Sequence, residues 1–207
     1  MMKTLFLPGA AGSAQFWKPA AAHAGLDGVF FGWPGLGDEP HRPDVNGIGD
    51  LVSLVLDRMD EPVDIVAQSM GGVVAMLAAL ARPGKIHRLV LAVTSGGVPM
   101  GDLGGIDWRA NYRRRFPDAA RWIADPVPDL SDRLPSVAVP ILLLWGDSDP
   151  ISPVAVGERL HALLPQSTLH VIPGADHDLA VDHAARVGVL IKDHLSAERP
   201  AIRIDGK

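Results

Sequence analysis

Ser69, Asp149 and His177 are the side chains of this sequence whose types and settings suit the breaking of an acyl bond. Ser69 lies in Ala67-Gln68-Ser69-Met70-Gly71, directly after the apolar run Val63-Asp64-Ile65-Val66 and directly before Gly72-Val73-Val74-Ala75-Met76-Leu77. Small residues two positions to either side of a serine suit a sharp strand-to-helix turn, in which the helix leaves close to the strand and the serine takes a strained backbone. The pattern is a conservative variant of Gly-x-Ser-x-Gly, with Ala67 in the first place. A serine so placed could also merely cap a helix. A hydroxyl is a poor nucleophile near neutral pH, so catalysis demands a base and a carboxylate to orient it. The base is expected in His177, which follows the run Leu169-His170-Val171-Ile172 and the turn Pro173-Gly174-Ala175-Asp176. Two aspartates follow the run Ile141-Leu142-Leu143-Leu144-Trp145. Asp147 stands directly beyond the run, where turn capping is its natural role, and Asp149 lies further into the loop, so Asp149 is preferred. The chemistry expected of the three is acyl transfer through a serine ester, which requires neither a metal nor an organic cofactor.

Those residues must be held by strands and helices, and the chain alternates the two. Short apolar runs occur at Thr4–Leu7, Val29–Phe31, Val63–Ala67, Leu89–Val93, Ile141–Trp145 and Thr168–Ile172. Most are nearly continuous in apolar residues, as in parallel strands buried on both faces. Segments of helical period lie between them, from about Ala14 to Ala24, Gly47 to Met59, Met70 to Ala81, Pro153 to Leu164 and Leu179 to Leu195. The pattern predicts an α/β fold, a doubly wound, mostly parallel sheet of about six strands with helices on both faces. Functional groups are then expected beyond the carboxyl ends of the strands.

One connection departs from the rhythm. Residues 98–139 contain no convincing strand, and they carry Trp108, Tyr112 and Phe116 at spacings of four, among Arg109, Arg113, Arg114, Arg115 and Arg121. This spacing predicts one aromatic helix face, with Pro117 either ending that helix or beginning the next, and the segment reads as a small helical lid over the strand ends. The arginines read by default as a solvated face. A loosely held tail is expected from Ala197 to Lys207.

Composition narrows the class of function. A chain of 207 residues with 47% hydrophobic content can bury one sizeable core, and 1–207 is read as a single domain with 98–139 inserted as the lid. With 24 acidic against 19 basic residues the net charge is −5, which argues against nucleic acid as a partner. Cysteine is absent, which excludes disulfides, thiol nucleophiles and cysteine-ligated zinc. Pro8-Gly9 interrupts the opening run Leu5-Phe6-Leu7 too early for a signal peptide, so that run reads as the first strand. No run approaches the roughly 20 apolar residues needed to span a bilayer, and a cytoplasmic protein without a membrane partner is the default.

On these motifs the chain resembles the α/β-hydrolase superfamily, from about Lys3 to Leu195. Gly146, Asp149 and Pro153 match the Gly-x-x-Asp-x-x-x-Pro segment that carries the acid in similar enzymes. Gly9-Ala10-Ala11-Gly12-Ser13 with Phe16-Trp17 resembles the oxyanion-loop segment, with Pro8 where that family normally has histidine. The resemblance implies that the backbone amides of Ala10 and Met70 receive the developing negative charge. Trp33-Pro34-Gly35-Leu36-Gly37-Asp38 resembles the family's glycine-rich loop. The antiparallel hairpin that usually precedes the first of these loops is missing, which implies a compact version of the fold. Trp17, Trp33, Leu36, Trp108, Tyr112 and Trp122, with Met70, are expected to line an apolar acyl site.

The function implied is cleavage of carboxylic esters or thioesters of short to medium acyl groups. The partner expected is a small-molecule ester or thioester. The overall plan also resembles small-lid carboxylesterases, including those that act on pimeloyl held by a carrier protein, and the lid arginines suit an acyl-carrier protein. Two other uses of the same fold stay open: a small-molecule receptor or signalling protein with little turnover, and a lyase or C–C bond hydrolase using the same serine. The remaining histidines, His23, His41, His87, His161, His170, His183 and His194, are expected at the surface or in packing, and Asp176 and Asp178 in solvent-facing turns.

Overall fold

The computed structural model describes residues 2–197, so most of the expected tail lies outside the described residues. Among the described residues six strands form one sheet: β1 (Lys3–Leu7), β2 (Val29–Phe30), β3 (Val63–Gln68), β4 (Ile86–Ala92), β5 (Ile141–Gly146) and β6 (Ser167–Ile172). Their order is β2-β1-β3-β4-β5-β6, and every pairing is parallel. Leu5, Ile65, Leu89 and Ile141 stand in one register across the four central strands, and all are buried. The nearly continuous apolar runs thus follow from burial on both faces.

The helices are α1 (Lys18–Ala24), α2 (Ile48–Leu56), α3 (Met70–Ala81), α4 (Arg109–Arg115), α5 (Val154–Leu163), α6 (Leu179–Asp182) and α7 (Ala184–Ser196). The step from β1 to β2 runs one way across the sheet and every later step runs the other way. Right-handed crossovers therefore put α1 on one face and α2, α3 and α5 on the opposite face. Consistent with this, α1 packs against α7, and α2 against α3. The direction of winding reverses between β1 and β3, and the crevice that opens there is where α/β sheets bind their ligands.

Two helices differ from the periodicity. The first, expected from Ala14, begins only at Lys18, because Pro19 fits the first turn and not the interior of a helix, and Gly25 closes it at φ 65°. The last, expected to run unbroken from Leu179, is interrupted at His183 (φ −116°, ψ 30°) and becomes α6 and α7. Between β4 and β5 lie α4 and 3₁₀ turns at Arg121–Ala124 and Leu134–Ser136. Leu130, Leu134 and Val137 of this connection are buried in the core, so its last part is anchored in the molecule rather than laid over it.

Candidate active site

β3 ends at Gln68 and α3 begins at Met70, so Ser69 alone makes the turn, with φ 52° and ψ −124°. Such a conformation in a non-glycine residue costs on the order of 1–3 kcal/mol and persists only where the surroundings fix it. Here they do. The Ser69 amide donates to the Ala92 carbonyl at 3.0 Å, and the Ser69 carbonyl accepts from Gly72 N at 2.9 Å and the Thr94 hydroxyl at 2.5 Å. Gly71 and Gly72 are required by close approach: a Cβ would stand 2.4 Å from the Pro8 carbonyl oxygen at Gly71, and 2.4 Å from Thr94 Oγ1 at Gly72.

The three side chains singled out in the sequence meet at the strand ends. His177 Nε2 is 2.9 Å from Ser69 Oγ, and His177 Nδ1 is 2.7 Å from Asp149 Oδ2. A carboxylate only accepts, so Nδ1 carries the proton and Nε2 is left with a lone pair facing the serine hydroxyl. The Asp149 side chain is fully buried, and its other oxygen accepts from the amides of Ile151 at 2.8 Å and Ser152 at 3.1 Å. Asp147 instead accepts from the Gly174 amide at 2.7 Å, tying the loop after β5 to the loop after β6. Gln68 Nε2 donates to the His177 carbonyl at 3.2 Å, a positioning contact that the sequence motif did not reveal.

The amides of Ala10 and Met70 lie on the two loops that flank the crevice. Neither donates a hydrogen bond within the described residues, and both residues line the cavity beside Ser69. The Ala10 amide shares a peptide unit with the Gly9 carbonyl, and that carbonyl accepts from Gly12 N at 3.0 Å. Carbonyl and amide of a trans peptide point in opposite directions, so this turn faces the Ala10 N–H away from Gly12.

The cavity measures about 890 Å³ and is mostly apolar. Trp108, Tyr112 and Trp122 line it, as does Met70, together with Phe16 and Phe116. Trp17, Trp33 and Leu36 do not reach it. All three are core residues at 0–1% exposure. The Trp17 indole donates to the Leu7 carbonyl at 2.9 Å and the Trp33 indole to the Pro8 carbonyl at 2.7 Å, so both rings brace the loop from behind. A tryptophan with a buried N–H seeks an acceptor, and the carbonyls at the end of β1 supply two. Arg109 and Arg115 stand at the cavity wall, whereas Arg113 and Arg114 are exposed and outside it. Asp178 is exposed at the cavity rim.

At the opposite end of the strands, His87 Nδ1 is 2.8 Å from the buried Asp64 carboxylate, a pairing that the sequence reading missed. His194 is held neutral there, its pKa pushed down to about 4 by burial and by the Arg88 guanidinium. No group of three or more His, Cys, Asp or Glu side chains among the described residues could hold a metal ion. No helix among the described residues is long and apolar enough to cross a membrane.

A model of the "Alpha/beta hydrolase family" matches residues 4–131, and one of the "alpha/beta hydrolase fold" matches residues 100–184. The chain is 28% identical over 206 residues to a pimeloyl-[acyl-carrier protein] methyl ester esterase of Neisseria meningitidis, covering 77% of this chain and 79% of that protein. It is 26% identical over 242 residues to a 2-hydroxy-6-oxononadienedioate/2-hydroxy-6-oxononatrienedioate hydrolase of Paraburkholderia phymatum, covering 91% and 83%. Among solved structures, a thermophilic esterase from Thermogutta terrifontis superposes with a TM-score of 0.76 at 22% identity, over 94% of this chain and 89% of that one.

Proposed function

The chain belongs to the alpha/beta hydrolase family, and from that membership we propose that it is a serine hydrolase of carboxylic esters or thioesters with short to medium acyl groups. The observation that carries this reading is the hydrogen-bonded series Asp149–His177–Ser69 opening into an apolar cavity. Ser69 Oγ attacks the carbonyl carbon while His177 Nε2 takes its proton, and Asp149 stabilises the imidazolium that forms. The carbonyl oxygen becomes an oxyanion received by the amides of Ala10 and Met70. Collapse breaks the bond to the alcohol or thiol, which leaves with the proton from His177 and puts the acyl group on Ser69. Water then attacks the acyl-serine with His177 as its base, releasing the acid and restoring the hydroxyl.

The 98–139 segment acts as a lid in this reading, with Trp108, Tyr112 and Trp122 as acyl contacts. About 890 Å³ suits a short or medium chain or a small aromatic group. An acyl-carrier protein is a candidate partner: the Neisseria relative is named for a carrier-bound ester, and Arg113 and Arg114 are exposed on α4. The cytoplasm is the compartment that fits such a partner. A second reading, C–C bond hydrolysis with the same serine, is favoured by the Paraburkholderia relative, which aligns over more of this chain.

The test is labelling of Ser69 with a fluorophosphonate probe, in competition with acyl esters, thioesters and a 2-hydroxy-6-oxodienoate. Rapid labelling lost in Ser69→Ala, with competition and turnover by esters, is the expected result. Turnover of the dienoate alone favours the second reading, and labelling without turnover of any compound favours a receptor. Arg113→Glu combined with Arg114→Glu should slow hydrolysis of a carrier-bound ester and spare the free methyl ester.

A further inference from the structure

The loop after β1 has its carbonyl groups held one after another. The Leu7 carbonyl accepts from the Trp17 indole, the Pro8 carbonyl from the Trp33 indole and the Gly9 carbonyl from Gly12 N. The next, that of Ala10, accepts from the Tyr112 hydroxyl at 2.8 Å. The first three donors belong to the body of the fold, but Tyr112 sits on α4, 102 residues away in sequence. Its hydroxyl oxygen in turn accepts from the Gly37 amide at 3.0 Å. One phenol therefore joins the loop after β1, the glycine-rich loop after β2 and α4. The two loops are already in close contact, since a Cβ on Gly37 would stand 1.9 Å from the Ala11 carbonyl oxygen and the Trp33 amide donates to the Gly12 carbonyl at 2.9 Å.

Two peptide units meet at the Ala10 Cα. One carries the amide proposed to receive the oxyanion, and the Gly12–Gly9 turn orients it. The other carries the carbonyl that Tyr112 holds. The Gly12–Gly9 bond lies within the turn and lets the turn tilt as a unit, whereas the bond from Tyr112 ties the same Cα to α4 and holds the turn, with its N–H, against that tilt. Oxyanion donors contribute most when they are already aimed before charge develops, and a displacement of about 1 Å in such a site can cost on the order of 100-fold in rate.

Resting on the serine-hydrolase reading, we infer that Tyr112 is a positioning residue through which the seating of α4 completes the oxyanion site at Ala10. The rest of the same segment docks on the same side: Ala120 N donates to the Gly35 carbonyl at 2.7 Å, and His41 Nε2 lies 2.8 Å from the Asp118 carbonyl. Lifting the segment would release these contacts together with the Ala10 carbonyl. Burial raises the Tyr112 phenol above its ordinary pKa, so it stays a proton donor at neutral pH. Tyr112 touches no reacting atom in this scheme. Its effect reaches the oxyanion only through Ala10.

The test compares Tyr112→Phe with the parent protein and Ser69→Ala on a p-nitrophenyl ester. Phenylalanine keeps the ring and its packing and removes only the hydroxyl. The expected result is a fall in kcat of roughly 10- to 100-fold with KM changed less than about twofold. Affinity for a trifluoromethyl ketone, whose adduct with Ser69 places an oxyanion in the site, should fall by the same factor as kcat, while affinity for the matching methyl ketone holds. Tyr112 is the only tyrosine of the chain, so biosynthetic replacement by 3,5-difluorotyrosine changes this position alone. Its phenol ionises well below the usual value of about 10. Once ionised it donates nothing to Ala10, so kcat of the fluorinated protein should gain an alkaline limb absent from the parent. This second arm does not depend on the phenylalanine variant folding. Unchanged kcat in Tyr112→Phe and superimposable pH profiles, with hydrolysis lost in Ser69→Ala, overturn the inference alone. Full hydrolysis in Ser69→Ala overturns the reading beneath it and the inference with it.

Discussion

The turn after β3 and the loop after β1 face each other across one crevice, yet they are built in opposite ways. The turn is set by its neighbours in sequence and in the next strand: β3 ends, Ser69 takes a positive φ, α3 begins, and bonds to Ala92, Thr94 and Gly72 close it. The loop has one bond of its own, from Gly12 N to the Gly9 carbonyl, and otherwise no local frame. The carbonyls of Leu7, Pro8 and Ala10 are held by Trp17, Trp33 and Tyr112, which come from three separate segments. The setting of the proposed nucleophile is specified by five residues, whereas that of the proposed oxyanion donor at Ala10 depends on the assembled fold.

Breaking the turn at its reacting atom should have the largest effect. Ser69→Ala should lower kcat on the order of 10⁶-fold without lowering the melting temperature, because it removes one exposed-side hydroxyl and leaves the backbone as it was. Stopped assays with active-site titration check the first statement and calorimetry the second. The contact between the two regions comes next. Gly71→Ala puts a methyl 2.4 Å from the Pro8 carbonyl oxygen, a backbone atom that can yield only if the loop after β1 moves. Turnover should fall about 100-fold and stability by about 1–3 kcal/mol, read by ester kinetics and urea unfolding. Gly49 on α2 has open space around its Cβ position, and alanine there should leave both measurements near those of the parent.

A change to the loop's rear support separates bracing from contact with substrate. Trp33→Phe leaves the buried Pro8 carbonyl without its indole donor and should cost about 2 kcal/mol of stability, with kcat down roughly tenfold and KM little changed. Had Trp33 been an acyl contact, KM would rise instead.

That distinction marks what the sequence could and could not convey. Strands buried on both faces write themselves as apolar runs, and Ser69 and Asp149 each follow one, while His177 follows the half-exposed edge strand β6, which still shows as the run Leu169-His170-Val171-Ile172, so all three places are legible from local pattern. Trp17, Trp33 and Leu36 also follow strands, and a large apolar side chain in a loop looks the same whether it faces a cavity or braces a backbone. Only the partner decides, and the carbonyls of Leu7 and Pro8 lie 10 and 25 residues from their indoles. The aromatic face of α4 was visible in its spacing of four, but the bond from Tyr112 to Ala10 was not, because nothing in helical period says where a hydroxyl ends. The His87–Asp64 pair escaped for a similar reason: its members sit on adjacent strands, and only the register of β3 against β4 brings them together.

The smallest effect is expected farthest from the crevice. His194 is held neutral to about pH 4, whereas an unfolded histidine takes its proton near 6.5. Between those values the unfolded chain binds more protons, so stability from this group is complete above about pH 6.5 and is lost as pH falls toward 4. The loss should amount to about 1–2 kcal/mol once screening of the partly exposed ring is allowed for. Asp64 acts with the opposite sign, since burial raises its pKa, so the informative quantity is the difference between parent and His194→Gln across that window. The variant should show the shallower decline in melting temperature on acidification, with ester turnover at neutral pH unchanged.

The most direct measurement of the central claim is a rapid acid quench of the protein mixed with excess p-nitrophenyl ester, followed by mass spectrometry of its peptides. A burst of one nitrophenol per chain, with the acyl mass on the peptide holding Ser69 and none in Ser69→Ala, is the predicted result. Steady turnover with no acyl mass on that peptide, or with the acyl group on another residue, would contradict it.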